Sequence, residues 1–135
     1  MPQANVAAVR HVFVYGTLRC GEDNDITKLQ PAPQFVGVSQ IVGTMYDLGA
    51  YPGVRLGGCS SVHGEVYEIS PALEAVLDDI EAVYPQERDE YMKRVIPVSV
   101  QGRTLWCIVY EINARYIREN TEVPGGDWVR NRQRR

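Results

Sequence analysis

The sequence predicts a mixed α+β domain, and three observations carry that prediction. Short apolar or alternating segments of strand character recur along the chain. One segment, beginning at Ser70, opens with a full set of helix-start signals. Strands and helices do not alternate as a doubly wound parallel sheet requires. The length of 135 residues suits one domain, which at this size buries roughly two-thirds of its unfolded surface.

The first element is a buried strand at 12–15, four β-favouring residues that stop at Gly16. A glycine at a tight turn lets backbone approach a ligand, and the amides of Thr17 and Leu18 can then face an anion or a developing oxyanion. Residues 19–33 are polar and turn-rich, with a short helical piece at 26–29. Strand segments follow at 35–39 and 41–48. The glycines and Pro52 mark 49–58 as a loop, and 62–69 alternates as a strand. Ser70 at the N-cap and Pro71 at the first helical position open a helix that runs to about Val83, before Pro85. Beyond an acid-rich loop at 84–90, strands at 91–100 and 104–112 flank a turn, Gln101-Gly102-Arg103. Residues 1–10 read as a flexible extension, 11–129 as the single domain and 130–135 as a basic tail.

Composition narrows the function classes. The chain is 44% hydrophobic and 23% charged, as ordinary globular proteins are. It has no apolar run long enough for a membrane span and no signal-peptide core near Met1, so a cytoplasmic location is expected. The net charge of −3 argues against nucleic acid as a main partner. Arg130, Arg132, Arg134 and Arg135 are the exception, and read as a solvated, frayed end. Cys20, Cys59 and Cys107 are widely spaced with no Cys-x-x-Cys pair, so neither a disulfide framework nor a zinc site is indicated. Cys107 reads as a buried small hydrophobe. His11 and His63 lie too far apart in sequence to suggest a metal centre.

The helix holds the most suggestive carboxylate. Leu73, Val76, Leu77 and Ile80 form one apolar stripe. Asp78 and Asp79 project to the water side, while Glu81 falls about 80° from Leu73, beside the stripe and in the last turn. Partial desolvation there raises a carboxyl pKa and makes a better base. The competing reading is an ordinary surface glutamate at a helix end.

Several short pieces occur in a fixed order: Tyr15-Gly16-Thr17-Leu18-Arg19, Tyr51-Pro52-Gly53, Val62-His63-Gly64-Glu65-Val66-Tyr67, Leu77-Asp78-Asp79-Ile80-Glu81, Tyr91 with Arg94, Val109-Tyr110, and Gly126-Asp127-Trp128. Together they resemble the gamma-glutamylcyclotransferase-like family, which includes the gamma-glutamylamine cyclotransferases and the avirulence-induced-gene-like proteins. The resemblance spans 12–128. It implies a small mixed β-barrel with flanking helices, a cofactor-free enzyme and a small gamma-glutamyl substrate. It also implies Glu81 as general acid/base, Tyr15 to Leu18 as the substrate loop, and Tyr91 and Tyr110 beside the substrate.

The implied reaction closes a gamma-glutamyl amine or peptide into 5-oxoproline. Its α-amine is tethered to the carbonyl it attacks, so proximity supplies much of the rate. No metal or redox group is needed for that chemistry. The loop amides suit either the oxyanion or the substrate's α-carboxylate. Two other readings stand beside the enzyme: a non-catalytic small-molecule binding domain using the same pocket, and an interaction module working through the basic tail.

Overall fold

In the computed structural model, which describes residues 10–81 and 90–133, the first apolar run becomes β1 (Arg10–Val14), the middle of a five-stranded sheet. Its neighbours are β3 (Pro52–Ile69), antiparallel with Val12 opposite Tyr67, and β5 (Arg103–Ile112), parallel with Val12 opposite Ile108. β2 (Gln34–Asp47) lies outside β3, and β4 (Tyr91–Val100) outside β5. A central strand covered on both faces explains why 12–15 is continuously apolar rather than alternating.

The sheet curls until its edges meet, where the Ser39 hydroxyl of β2 donates to the Ser99 carbonyl of β4. The result is the small mixed barrel that the resemblance implies. Inside it Phe13, Met45, Val54, Val66 and Cys107 pack together, and Trp128 is buried among them. On the outer face Val12, Val14, Ile108 and Tyr110 pack against Leu73 and Leu77 of α1 (Pro71–Glu81). Alternate β1 side chains therefore serve two cores, as the period of two demands.

The start of α1 follows the sequence signals. The Leu73 amide donates to Ser70 Oγ at 3.1 Å, and Glu74 closes the first turn on the Ser70 carbonyl. Val76 and Ile80 complete the apolar stripe, while residues 82 and 83 of the expected helix lie outside the described residues. The β4–β5 turn falls where expected but is one residue shorter, because Arg103 already pairs with Val100 as the first residue of β5. Gln101 and Gly102 both have positive φ, as a two-residue hairpin of this hand requires.

Four other expectations are corrected. The strand segments at 35–39 and 41–48 are one strand, β2, which bends through register shifts at Phe35/Gly37 and Val42/Gly43 without breaking. The loop at 49–58 shrinks to a turn at 48–51, and Pro52 to Leu56 already pair with β2. The glycines that suggested a loop, Gly57 and Gly58, sit at positive φ in a bulge within β3. The basic end does not begin frayed. Residues 128–133 form α2 (Trp128–Gln133), and Arg132 makes two 2.8 Å contacts to Glu22. Asp78 does not project to water, as shown below. No described helix is long and apolar enough to cross a membrane.

Candidate active site

A cavity of about 310 Å³ opens where β1 ends, β3 begins and α1 stops. All seven residues singled out in the sequence line it: Tyr15, Gly16, Thr17, Leu18, Glu81, Tyr91 and Tyr110. They come from the segment after β1 and from α1, β4 and β5, so only the tertiary fold brings them together.

Gly16 to Leu18 leave β1 in a tight turn closed by the Arg19 amide on the Gly16 carbonyl at 3.0 Å. Asn24 supports the turn with its amide on the Thr17 carbonyl and its side chain on Thr17 Oγ1. Among the described residues, none accepts a hydrogen bond from the amides of Gly16, Thr17 or Leu18. Unpartnered amides beside a cavity have donor capacity left for an anion.

Gly16 is required for a different reason than the sequence suggests. Its φ is not positive; instead, a Cβ there would lie 2.6 Å from Pro52 Cγ. The Pro52 ring occupies that space as part of the cavity wall. Gly16→Ala is therefore expected to lower stability by about 1–3 kcal/mol through overpacking, read as a shifted urea midpoint at unchanged slope.

Arg19, the last residue of the Tyr15-Gly16-Thr17-Leu18-Arg19 motif, does not line the cavity. Its Nε bonds Glu65 Oε2 at 3.1 Å and one terminal nitrogen bonds Asp127 Oδ1 at 3.0 Å. Glu65 is buried and also accepts from the Cys20 amide and the Tyr67 hydroxyl. This network ties the loop to β3 and to the chain before α2. Gly126 makes the last approach possible, since at φ +63° a Cβ would lie 1.9 Å from the Ser61 carbonyl oxygen. The Gly126-Asp127-Trp128 segment is thus structural, with one member close against β3, one on Arg19 and one in the core.

Glu81 ends α1 and is partly buried at the cavity. Desolvation, reinforced by the negative charge of Glu90, pushes its carboxyl up to about 7. Such a group exchanges protons readily near neutral pH. Glu90 is the principal residue that the sequence reading did not single out. It is buried, lines the cavity and accepts from the Tyr51 hydroxyl at 2.5 Å. The only signal for it was its place in an acid-rich stretch next to Tyr91, of which 84–89 lie outside the described residues. Tyr51 and Pro52 also line the cavity; the sequence marked them in a motif without giving them a role.

The tyrosine hydroxyls are engaged with protein. Tyr15 donates to the Tyr110 carbonyl at 2.6 Å, Tyr91 to the Pro52 carbonyl at 2.7 Å and Tyr110 to Asp78 Oδ1 at 2.8 Å. Burial pushes all three phenol pKa values up, so they stay protonated. Tyr15 therefore combines the core and cavity-wall readings. Tyr91 does not donate to Glu81, because Pro52 holds its proton. Asp78 is engaged by Tyr110 and by Lys93 Nζ at 2.9 Å, so it faces β4 and β5 rather than water. His63 adjoins Asp127 at another face, and no group of three or more metal-ligating side chains is assembled among the described residues.

Comparison with known proteins agrees with this architecture. The family model described as gamma-glutamyl cyclotransferase, AIG2-like, matches residues 12–130. A Vibrio cholerae protein provisionally named as a gamma-glutamylcyclotransferase is 38% identical over 119 residues, covering 87% of this chain and 93% of its own. The gamma-glutamylcyclotransferase family protein YtfP of Escherichia coli is 32% identical, with 87% and 95% covered. Among solved structures, a mouse aig2-like protein superimposes with a TM-score of 0.67 at 28% identity, covering 77% of each chain. The solution structure of E. coli ytfP gives 0.58 at 30% identity, covering 88% of this chain and 96% of its own. With a family match across nearly its whole length and relatives above 30% identity, the chain belongs to the gamma-glutamyl cyclotransferase, AIG2-like family.

Proposed function

We propose that the protein converts a gamma-glutamyl amine or peptide into 5-oxoproline and a free amine, with Glu81 as general acid/base. The observation that carries this is Glu81 itself, a carboxyl raised to about 7 at a cavity that Gly16, Thr17 and Leu18, with their unpartnered amides, also line. In the reaction the α-nitrogen bonds to the γ-carbonyl carbon, and the bond from that carbon to the leaving nitrogen breaks. Two protons leave the attacking nitrogen and two reach the departing one. Ionised Glu81 takes the first from the substrate ammonium, whose pKa is roughly 8, and returns it to the leaving amine. Such two-way transfer contributes roughly 10² to 10⁴ in rate.

The amides of Gly16 to Leu18 supply the donor wall, suited to the oxyanion or the substrate's α-carboxylate. A preorganised donor on an oxyanion contributes about 3 kcal/mol. Tyr15, Tyr91 and Tyr110 line the same cavity, and each lies close enough to Glu81 for its charge to raise the phenol pKa. A cytoplasmic setting belongs to the proposal, consistent with three cysteines present as free thiols. The test is mass spectrometry for 5-oxoproline after incubation with a panel of gamma-glutamyl amines and dipeptides. Product from wild type but not from Glu81→Gln supports the assignment. Binding of the same compounds without product favours a non-catalytic pocket.

The pH profile gives a separate check. Activity should rise with pH through about 7 as Glu81 ionises. Removing the neighbouring charge in Glu90→Gln should move that limb to lower pH, because less repulsion opposes ionisation. A limb that stays in place would remove Glu81 as its origin.

A further inference from the structure

Two tyrosines at the cavity use their hydroxyls differently. Tyr15 donates to a backbone carbonyl, that of Tyr110, at 2.6 Å. Tyr110 donates to Asp78 Oδ1 at 2.8 Å, and among the described residues nothing donates to its oxygen. Asp78 lies on α1 less than one turn before Glu81, yet it is not part of the cavity lining. Its second oxygen takes Lys93 Nζ at 2.9 Å. Lys93 in turn contacts Glu74, which pairs with Arg10 at the start of β1. A carboxylate paired in this way can only accept. The Tyr110 proton is therefore fixed on the side away from the cavity, and lone pairs remain on the phenol oxygen.

We propose that Asp78, clamped by Lys93, is a positioning residue that makes Tyr110 an acceptor for the substrate's α-ammonium. The inference rests on the cyclotransferase reading of the cavity and adds to it. Tyr110 would hold the nitrogen from which Glu81 takes a proton, and would discriminate against ligands lacking that nitrogen. The discrimination comes from the direction of one hydroxyl, which a residue outside the cavity sets. A hydrogen bond to a charged group is strong enough for a preference of about tenfold.

Calorimetry can test this on the Glu81→Gln background, where the ligand stays intact. The probes are L-gamma-glutamylbutylamine and its des-amino counterpart, glutaric acid monobutylamide. The parent is expected to bind the amino form about tenfold more tightly. Adding Asp78→Asn should abolish that preference and leave des-amino binding within about twofold. Lys93 then keeps the asparagine carbonyl, while the asparagine amide donates to Tyr110 and turns the phenol proton toward the cavity. Tyr110→Phe, which deletes the oxygen but leaves the Asp78–Lys93 pair, should abolish the preference as well and guards against a folding defect in Asp78→Asn. A preference that survives in either folded variant, or an equal weakening of both ligands, overturns the inference. Failure of both ligands to bind the parent and wild type would instead overturn the cyclotransferase reading beneath it.

Discussion

Glu81→Gln is expected to lower turnover by roughly 10² to 10⁴ while leaving the fold intact. Glutamine keeps the shape of the side chain at the end of α1 but cannot take up and return a proton. The same substitution should stabilise the protein at neutral pH. Burial and Glu90 raise the folded-state pKa from 4.5 to about 7, so between those values the folded protein binds more protons than the unfolded chain. Stability therefore falls as pH rises from 4.5 to about 7, and the loss is complete above 7. The shift corresponds to at most about 3 kcal/mol, which Glu81→Gln should recover. Urea titrations of both proteins at pH 5 and pH 8 would show this, with the gap opening only at the higher pH. Activity and stability moving in opposite directions is the behaviour expected of a functional group held where its charge is costly. Equal stability at both pH values would mean that Glu81 ionises normally.

Arg19→Ala is expected to be the most destabilising of the substitutions considered. It leaves the buried Glu65 carboxylate and its partner Asp127 without their shared cation, a loss of about 3 kcal/mol. That corresponds to a fall in Tm of about 10 °C for a chain of this size. The change also loosens the turn that carries Gly16 to Leu18, whose next residue is Arg19 itself. Turnover should fall about tenfold or more even at temperatures where the variant is folded, since small misplacements of binding groups are costly. A double-mutant cycle with Glu65→Gln separates the two effects. Neutralising Glu65 should recover stability more than activity, because the buried charge is gone while the loop anchor is still missing. If both recover together, the network acts on the fold alone.

How much the sequence disclosed depended on how local each signal was. Ser70-Pro71 and Gln101-Gly102 were legible because the interactions that define them lie within a few residues. Pro52 to Gly58 were misread because glycine and proline usually mark loops, whereas pairing along β2 overrode that preference and used the glycines in a bulge. The carboxylates follow the same division. The helical period put Glu81 beside the apolar stripe. Glu90 became part of its environment only through chain folding, and Asp78 turned from water because β4 and β5 brought Lys93 and Tyr110 to it.

The sequence by itself determined the α+β class, the buried run at 12–15, the helix from Pro71 and the ordered motifs that carry the family resemblance. Those follow from side-chain period, turn chemistry and motif order, which are properties of neighbours along the chain. The tertiary structure decided barrel closure, the pKa of Glu81, the role of Arg19 as a clamp and the direction of each tyrosine hydroxyl. Desolvation, charge proximity and hydrogen-bond direction depend on which distant groups the fold brings into contact, and no local pattern encodes them.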